Sequence, residues 1–230
     1  MIRKIAGCGC VLLMTVSAQG ALVWDSQFNA GADGVVDLFD GNAGNVMIGA
    51  AGGGTLQITT QDTPGNFNGD VAGRPLGTTV SGHDSFSGLY NFRWTGLNQD
   101  QSPQTWELAG FKGDNSNQTR QFMGALFQHW KVGGQNHFVN VGVAFGNNGS
   151  AADNQDLLMD VPLGTAVYIG NEAAATSEEW QLAIAYDGNT TVLEVELYRE
   201  DGTLLASNSM NLSTDLNLLG NDLNTVLSAL

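Results

Sequence analysis

The chain has 230 residues, with 31 Gly, only 4 Pro, 42% apolar and 13% charged side chains, and a formal net charge of −15. Apolar runs at that abundance exclude a disordered chain, and the acidic balance excludes nucleic acid as a partner, because phosphate binding needs a cationic surface. A Gly-rich, charge-poor chain with abundant Asn, Gln, Ser and Thr fits one large all-β domain with polar loops, and not a helical bundle.

Residues 1–20, MIRKIAGCGCVLLMTVSAQG, read as a secretory signal peptide. Arg3 and Lys4 lead, an apolar run follows from Ile5 to Val16, and small residues close it. Cleavage is expected after Gly20, with Ala18 as the other position. The apolar run is too short for a membrane anchor. Ile5-Ala6-Gly7-Cys8 resembles a lipobox, but Cys8 comes before any apolar stretch long enough for export has accumulated. Removal of the peptide takes both cysteines and two of the 8 basic residues, but none of the 23 acidic ones. Residues 21–230 are therefore expected to fold as one exported domain without disulfides, relying on its apolar core. Its acidity suits calcium, cationic surfaces or plain solubility. No second apolar segment of spanning length follows, and release into the extracellular medium or onto the cell surface is expected.

Short alternating apolar runs then recur between Gly-, Asn- and Asp-rich turns. They predict strands at 22–28, 35–39, 46–48, 55–60, 87–97, 104–112, 121–132, 137–145, 165–170, 179–186, 191–199 and 204–212. So many short strands predict a sandwich or jelly roll. In HFVNVGVAF, Val139, Val141, Val143 and Phe145 share one face, and Phe138, Asn140, Gly142 and Ala144 share the other. One face is apolar, so this strand is expected to pack on one side. In QFMGALFQHWKV both faces are partly apolar, which predicts a central strand covered on both. Trp180, Leu182, Ile184 and Tyr186 alternate with polar or small residues up to Asp187-Gly188. Leu193, Val195 and Leu197 then alternate with Glu194, Glu196 and Tyr198 up to Asp201-Gly202. Two strands each closed by Asp-Gly predict a meander. Beyond residue 216 the apolar spacing turns helical, with Asn221 as a possible cap, and a short C-terminal helix is expected.

W-x-L-A-x-x-Y-D-G, a strand ending in L-Y, D-G and a further strand together resemble the late hairpin of laminin-G-like domains, within the concanavalin A-like lectin/glucanase superfamily. Upstream, FSGLYNFRWTGLN, WELAGFKGD and FMGALFQHWKV resemble middle strands of lectin-like domains in exported bacterial surface proteins, many of which carry a PEP-type sorting tail. The resemblance spans residues 22–212. It implies an all-β, concanavalin A-like jelly-roll sandwich of two antiparallel sheets, and glycan binding, sometimes with calcium. The chain is expected to stop before the family's closing strand and to lack its sorting tail.

Glycosidases place two carboxylates across the scissile bond. The glucanase branch of the superfamily carries them on one strand as Glu-x-Asp-x-Glu, or with one added residue. Glu194 and Glu196 share a face, but Glu196 stands where the pattern has Asp, and Glu200 falls beyond either spacing. A solvated strand face is the preferred reading; for a hydrolase or lyase, Glu194 and Glu196 would be the pair. His83, His129 and His137 lack zinc-ligand spacing, no Gly-x-Ser-x-Gly elbow occurs, and Gly52-Gly53-Gly54 precedes a strand and not a helix. Calcium is the one candidate cofactor, with Asp40, Asp114, Asp153 and Asp156 as loop ligands.

A sugar ring stacks its apolar face on an aromatic side chain and offers its hydroxyls to planar polar groups. Asn91, Arg93, Trp106, Glu107, His129 and Trp130 are the candidate glycan contacts, although most tryptophans of a sandwich lie in its core. Three functions stay open: a non-catalytic lectin-like module binding polysaccharide or a surface partner, a glycoside hydrolase or lyase of the same fold, and a purely structural surface or matrix protein.

Overall fold

The structure, a computed structural model, describes residues 35–39, 46–49, 57–60, 71–73, 84–94, 105–112, 122–132, 136–146 and 166–214. The predicted first strand at 22–28, the signal peptide and the predicted C-terminal helix lie outside them. Four short strands come first: β1 (Val36–Phe39), β2 (Val46–Gly49), β3 (Gln57–Thr60) and β4 (Val71–Gly73). They pair antiparallel as β1 with β4 and β2 with β3. The longer strands are β5 (Phe86–Phe92), β6 (Thr105–Lys112), β7 (Phe122–Val132), β8 (Asn136–Gly146) and β9 (Val167–Asn171), followed by helix α1 (Glu172–Ser177). Strands β10 (Trp180–Asp187), β11 (Val192–Arg199) and β12 (Leu204–Asn211) complete the described chain. Sheet I has the order β12-β11-β10-β5 and sheet II the order β6-β7-β8-β9, antiparallel throughout.

The two sheets pack face to face, β11 and β12 against β8 and β11 against β7. Alternation explains why. In β10 and β11 every second residue is buried: Trp180, Leu182, Ile184 and Tyr186, then Leu193, Val195 and Leu197. Register sets Leu182 beside Leu197, Ile184 beside Val195 and Tyr186 beside Leu193, making one continuous apolar floor. Val139, Val141 and Val143 of β8 supply the opposing face, joined by Ala125 of β7 and Ile169 of β9. The β-branched valines have restricted rotamers and pack closely on a pleated surface. The expected central position of β7 is found: it lies between β6 and β8, and both Ala125 and Leu126 are buried on its opposite faces.

Polar groups tie the sheets at two places. The Tyr90 hydroxyl donates to the carbonyl of Gly110 at 3.3 Å, linking β5 to β6. Burial pushes its pKa up to about 12, so the phenol stays protonated and able to donate. Asn208 of β12 donates from Nδ2 to the Val141 carbonyl at 3.3 Å, just past the last β8–β9 pair.

Helix α1 carries the chain from sheet II to sheet I. Asn171 caps it by accepting from the Ala174 amide at 2.9 Å. The run of alanines that follows favours helix. Trp180 donates its indole N–H to the Ala175 carbonyl at 3.2 Å, so this fully buried ring is satisfied. Trp94 packs on it with ring centroids 5.6 Å apart, and the Arg199 guanidinium lies 5.2 Å from the Trp180 ring while pairing with Glu178.

The meander is present, but its two turns differ. At residues 199–202 the Gly202 amide donates to the Arg199 carbonyl at 2.9 Å and Gly202 has φ 82°, the left-handed conformation that Gly adopts without strain. At residues 188–191 the left-handed residue is Thr191, φ 57°, and not Gly188. Asp187 organises that loop instead: its carboxylate accepts from the Asn189 amide at 2.9 Å, the Thr190 hydroxyl at 2.8 Å and Ser85 at 3.2 Å. The Asn189 amide bond leads the interactions that hold its pKa below the ordinary 3.8.

Two substitutions test this packing. Leu197→Ala empties part of the fully buried floor and is expected to cost about 3 kcal/mol. Gly124 pairs with Gly110, and a Cβ there would overlap the Ala109 carbonyl oxygen and come within 2.7 Å of the Gly110 Cα. Gly124→Ala must therefore displace backbone, at roughly 1–3 kcal/mol. Urea midpoints of the two variants check both values; an unchanged midpoint for either contradicts the packing described.

Candidate functional site

The sandwich leaves each sheet one outward face, and the two faces lie on opposite sides of the molecule. On sheet I the outward rows run Ser87–Ala185–Glu194–Ser209, Leu89–Ala183–Glu196–Ser207 and Asn91–Gln181–Tyr198. The glutamates therefore share an outward face, as their alternation predicts, flanked by alanines and serines. Tyr198 donates its hydroxyl to Glu196 at 2.6 Å. Partial burial, and then the neighbouring Glu196 carboxylate, raise the pKa of Glu194 above the ordinary 4.5. Asn91 is exposed and accepts from Gln181 Nε2 at 2.9 Å. Arg93 is exposed too, one residue past the end of β5.

On sheet II register pairs Trp130 with Phe138 and Phe138 with Tyr168 across β7, β8 and β9, and Trp106 with Gln128 and Gln128 with Asn140 across β6, β7 and β8. Farther along, Leu126 is only 3% exposed and Gly142 is buried, so that part of the face is covered. The other end is open. Val132 is 50% and Tyr168 48% exposed, and Asn136 is exposed beside them.

The open end is built by a bulge. Phe138 pairs with Tyr168 but His137 pairs with Gly170, so β9 carries an extra residue, Ile169, between the two pairs. Gly170 takes φ 118°, and Ile169 goes into the core. Tyr168 is thereby held against Phe138, with ring centroids 5.4 Å apart and planes tilted by 54°. Its hydroxyl donates to Asn136 Oδ1 at 3.4 Å. On the inward side, His137 is fully buried; burial and then Lys131 lower its pKa, while Glu172 raises it.

The six expected glycan contacts fall on elements of both sheets. Asn91 and Arg93 belong to sheet I. Trp106 belongs to β6 and Trp130 to β7, both of sheet II. Register sets Glu107 opposite Phe127 and His129 opposite the buried Val139. Asp40, Asp114, Asp153 and Asp156 lie outside the described residues. Among the described residues no three His, Cys, Asp or Glu side chains converge as a metal site, and no helix is long and apolar enough to cross a membrane. A shallow depression lined by Ser177, Glu178, Glu200 and Asp201 offers carboxylates without an aromatic surface.

Comparison with known protein families, with curated proteins and with solved structures gave no match to this chain.

The raised pKa of Glu194 has a thermodynamic consequence. The folded state holds this proton at pH values where the unfolded chain has released it, so stability falls as pH rises from about 4.5 through the folded-state value. Glu194→Gln is therefore expected to raise the melting midpoint at neutral pH. The gain should vanish below pH 4, where the wild-type residue is itself protonated. Melting curves from pH 3 to 8 check this; an equal effect at all pH values contradicts it.

Proposed function

We propose that the chain is an exported, non-catalytic lectin-like module of the concanavalin A-like kind, a jelly-roll sandwich that binds polysaccharide at the open end of the outward face of sheet II. The observation that carries this reading is the cross-strand pair Phe138–Tyr168, with Tyr168 48% exposed beside Asn136. A half-exposed aromatic ring leaves one face open to a ligand. Beside an amide it is the combination a sugar ring needs: a face to stack on, and donors and acceptors for its hydroxyls. Two four-stranded antiparallel sheets ending in the β10–β11–β12 meander support the jelly-roll part of the proposal. The signal-like leader supports export.

The second reading, a hydrolase or lyase, rests on Glu194 and Glu196. Those carboxylates lie on the outward face of sheet I, across the whole sandwich from Phe138 and Tyr168. A glycan stacked on the aromatic pair cannot reach them, and catalysis needs its carboxylates in contact with the scissile bond. This separation favours binding without turnover.

A glycan array spanning plant, algal and bacterial polysaccharides, read with and without calcium, tests the proposal. At least one class should bind the wild type. Tyr168→Ala should weaken that binding about tenfold, equal to about 1.4 kcal/mol, while Glu194→Gln/Glu196→Gln should leave it unchanged and no sugar should be released. Silence across the array would favour a structural surface protein.

A further inference from the structure

We infer that Asn189 is the acceptor of an N-linked glycan, attached by an oligosaccharyltransferase that the chain meets on export; the inference rests on the export part of the function proposed above. Acceptor asparagines stand in Asn-x-Ser/Thr, with x other than Pro, at the surface of exported proteins. The sequence has four such triplets, at Asn117, Asn148, Asn189 and Asn211, and Asn189 alone has a carboxylate two residues earlier, that of Asp187. Asn117 and Asn148 lie outside the described residues. The fold separates the other two. Asn189 belongs to the loop between β10 and β11, where Asn189 and Thr190 are exposed and Thr191 is half-buried. An exposed loop tip with no core residue between acceptor and hydroxyl can be offered to an enzyme while the sheets stay closed. Asn211 has no such freedom. Leu212, the middle residue of its triplet, is fully buried in the core, and its amide donates to the Thr191 carbonyl at 2.8 Å. Asn211 Oδ1 accepts from the Ser213 hydroxyl at 2.7 Å and the Ser213 amide at 3.0 Å. Presenting Asn211 would draw Leu212 out of the core.

The loop also holds the reacting group in place. Asn189 Nδ2 donates to Asp187 Oδ1 at 3.2 Å, and the Asn189 backbone amide donates to the same oxygen at 2.9 Å. An amide nitrogen is a poor nucleophile, because its lone pair is delocalised into the carbonyl, so transfer needs a good leaving group. In the transfer, Nδ2 forms a bond to C1 of the first sugar of a lipid-diphosphate-linked oligosaccharide. The C1–O bond breaks, the lipid diphosphate leaves with the bonding pair, and Nδ2 gives up one proton to a base of the transferase. The Thr191 hydroxyl is the second group of the triplet. It donates to the Thr190 carbonyl at 2.7 Å and lies 3.1 Å from Asn211 Oδ1. Thr191 has φ 57°, an uncommon conformation for a β-branched residue, so its own backbone preference favours release into an extended, enzyme-bound loop.

The test adds a detergent-solubilised bacterial oligosaccharyltransferase and its lipid-diphosphate-linked oligosaccharide to the purified, folded protein, and reads intact mass and glycopeptide mass spectra. The wild type should carry the oligosaccharide on the peptide that holds Asn189. Asn189→Gln and Thr191→Ala should lose it from that peptide, Thr191→Ser should keep it, and Asn211→Gln should leave it unchanged. A bare Asn189 in the wild type, whatever the state of Asn117 and Asn148, would overturn the inference. So would occupancy of Asn211 in place of Asn189. A melting midpoint of Asn189→Gln equal to that of the wild type shows that lost transfer is not lost folding, and Thr191→Ser keeps the hydroxyl testable should Thr191→Ala not fold. Because enzyme and donor are supplied to purified protein, failure here counts against Asn189 and leaves the export reading untouched. Export is read separately, as leader removal and release by cells expressing the full chain. An uncleaved chain retained inside the cell would overturn export, and modification in the cell with it.

Discussion

Everything in this molecule depends on two apolar sheet faces closing on one another. Leu193, Val195 and Leu197 on one side and Val139, Val141 and Val143 on the other are essentially inaccessible to water. Neither sheet could stand alone, because each presents a whole face of Val, Leu, Ile and aromatic side chains that water disfavours. With both cysteines in the leader-like segment, no disulfide holds the described sheets together. The polar ties from Tyr90 and Asn208 satisfy groups at the boundary, and the apolar contact supplies most of the stabilisation.

That closure decides where function can sit. Once the inner faces are committed to each other, only outward faces, edges and loops remain. Because side chains alternate along a strand, the same register that fills the core also sorts the polar and aromatic residues outward. Sheet I shows Glu194 and Glu196 among serines, alanines and the exposed Leu89, with the row Asn91–Gln181–Tyr198 beside them; the open end of sheet II shows Val132, Asn136, Phe138 and Tyr168. The two surfaces are separated by the full thickness of the core.

Much of the fold was legible because alternation reports burial directly. β10 and β11 follow the expected faces residue for residue, and the valines of β8 are buried as their spacing implies. The misses are short or irregular. β4 is only Val71-Ala72-Gly73, too brief to show a period. Helix α1 is less than two turns long, although Asn171 ahead of Glu172-Ala173-Ala174-Ala175 is a readable cap followed by strong helix formers. The loop after Asp187 was expected to turn on Gly188, yet side-chain hydrogen bonds from the loop to Asp187 fix it and place Thr191 in the left-handed region. The candidate site was half legible. Trp130 was singled out by residue type, and Phe138 was correctly set opposite the valines. That Tyr168 joins them follows from the β8–β9 register and its bulge, a pairing between segments that no local pattern encodes.

The central claim is that the open end of sheet II, and not the acidic face of sheet I, receives the ligand. Hydrogen exchange read by mass spectrometry, with and without a saturating soluble neutral oligosaccharide, tests it directly. Amides in 130–139 and 167–171 should exchange more slowly with the sugar bound, while those in 192–209 stay unchanged. Protection confined to 192–209 would contradict the account.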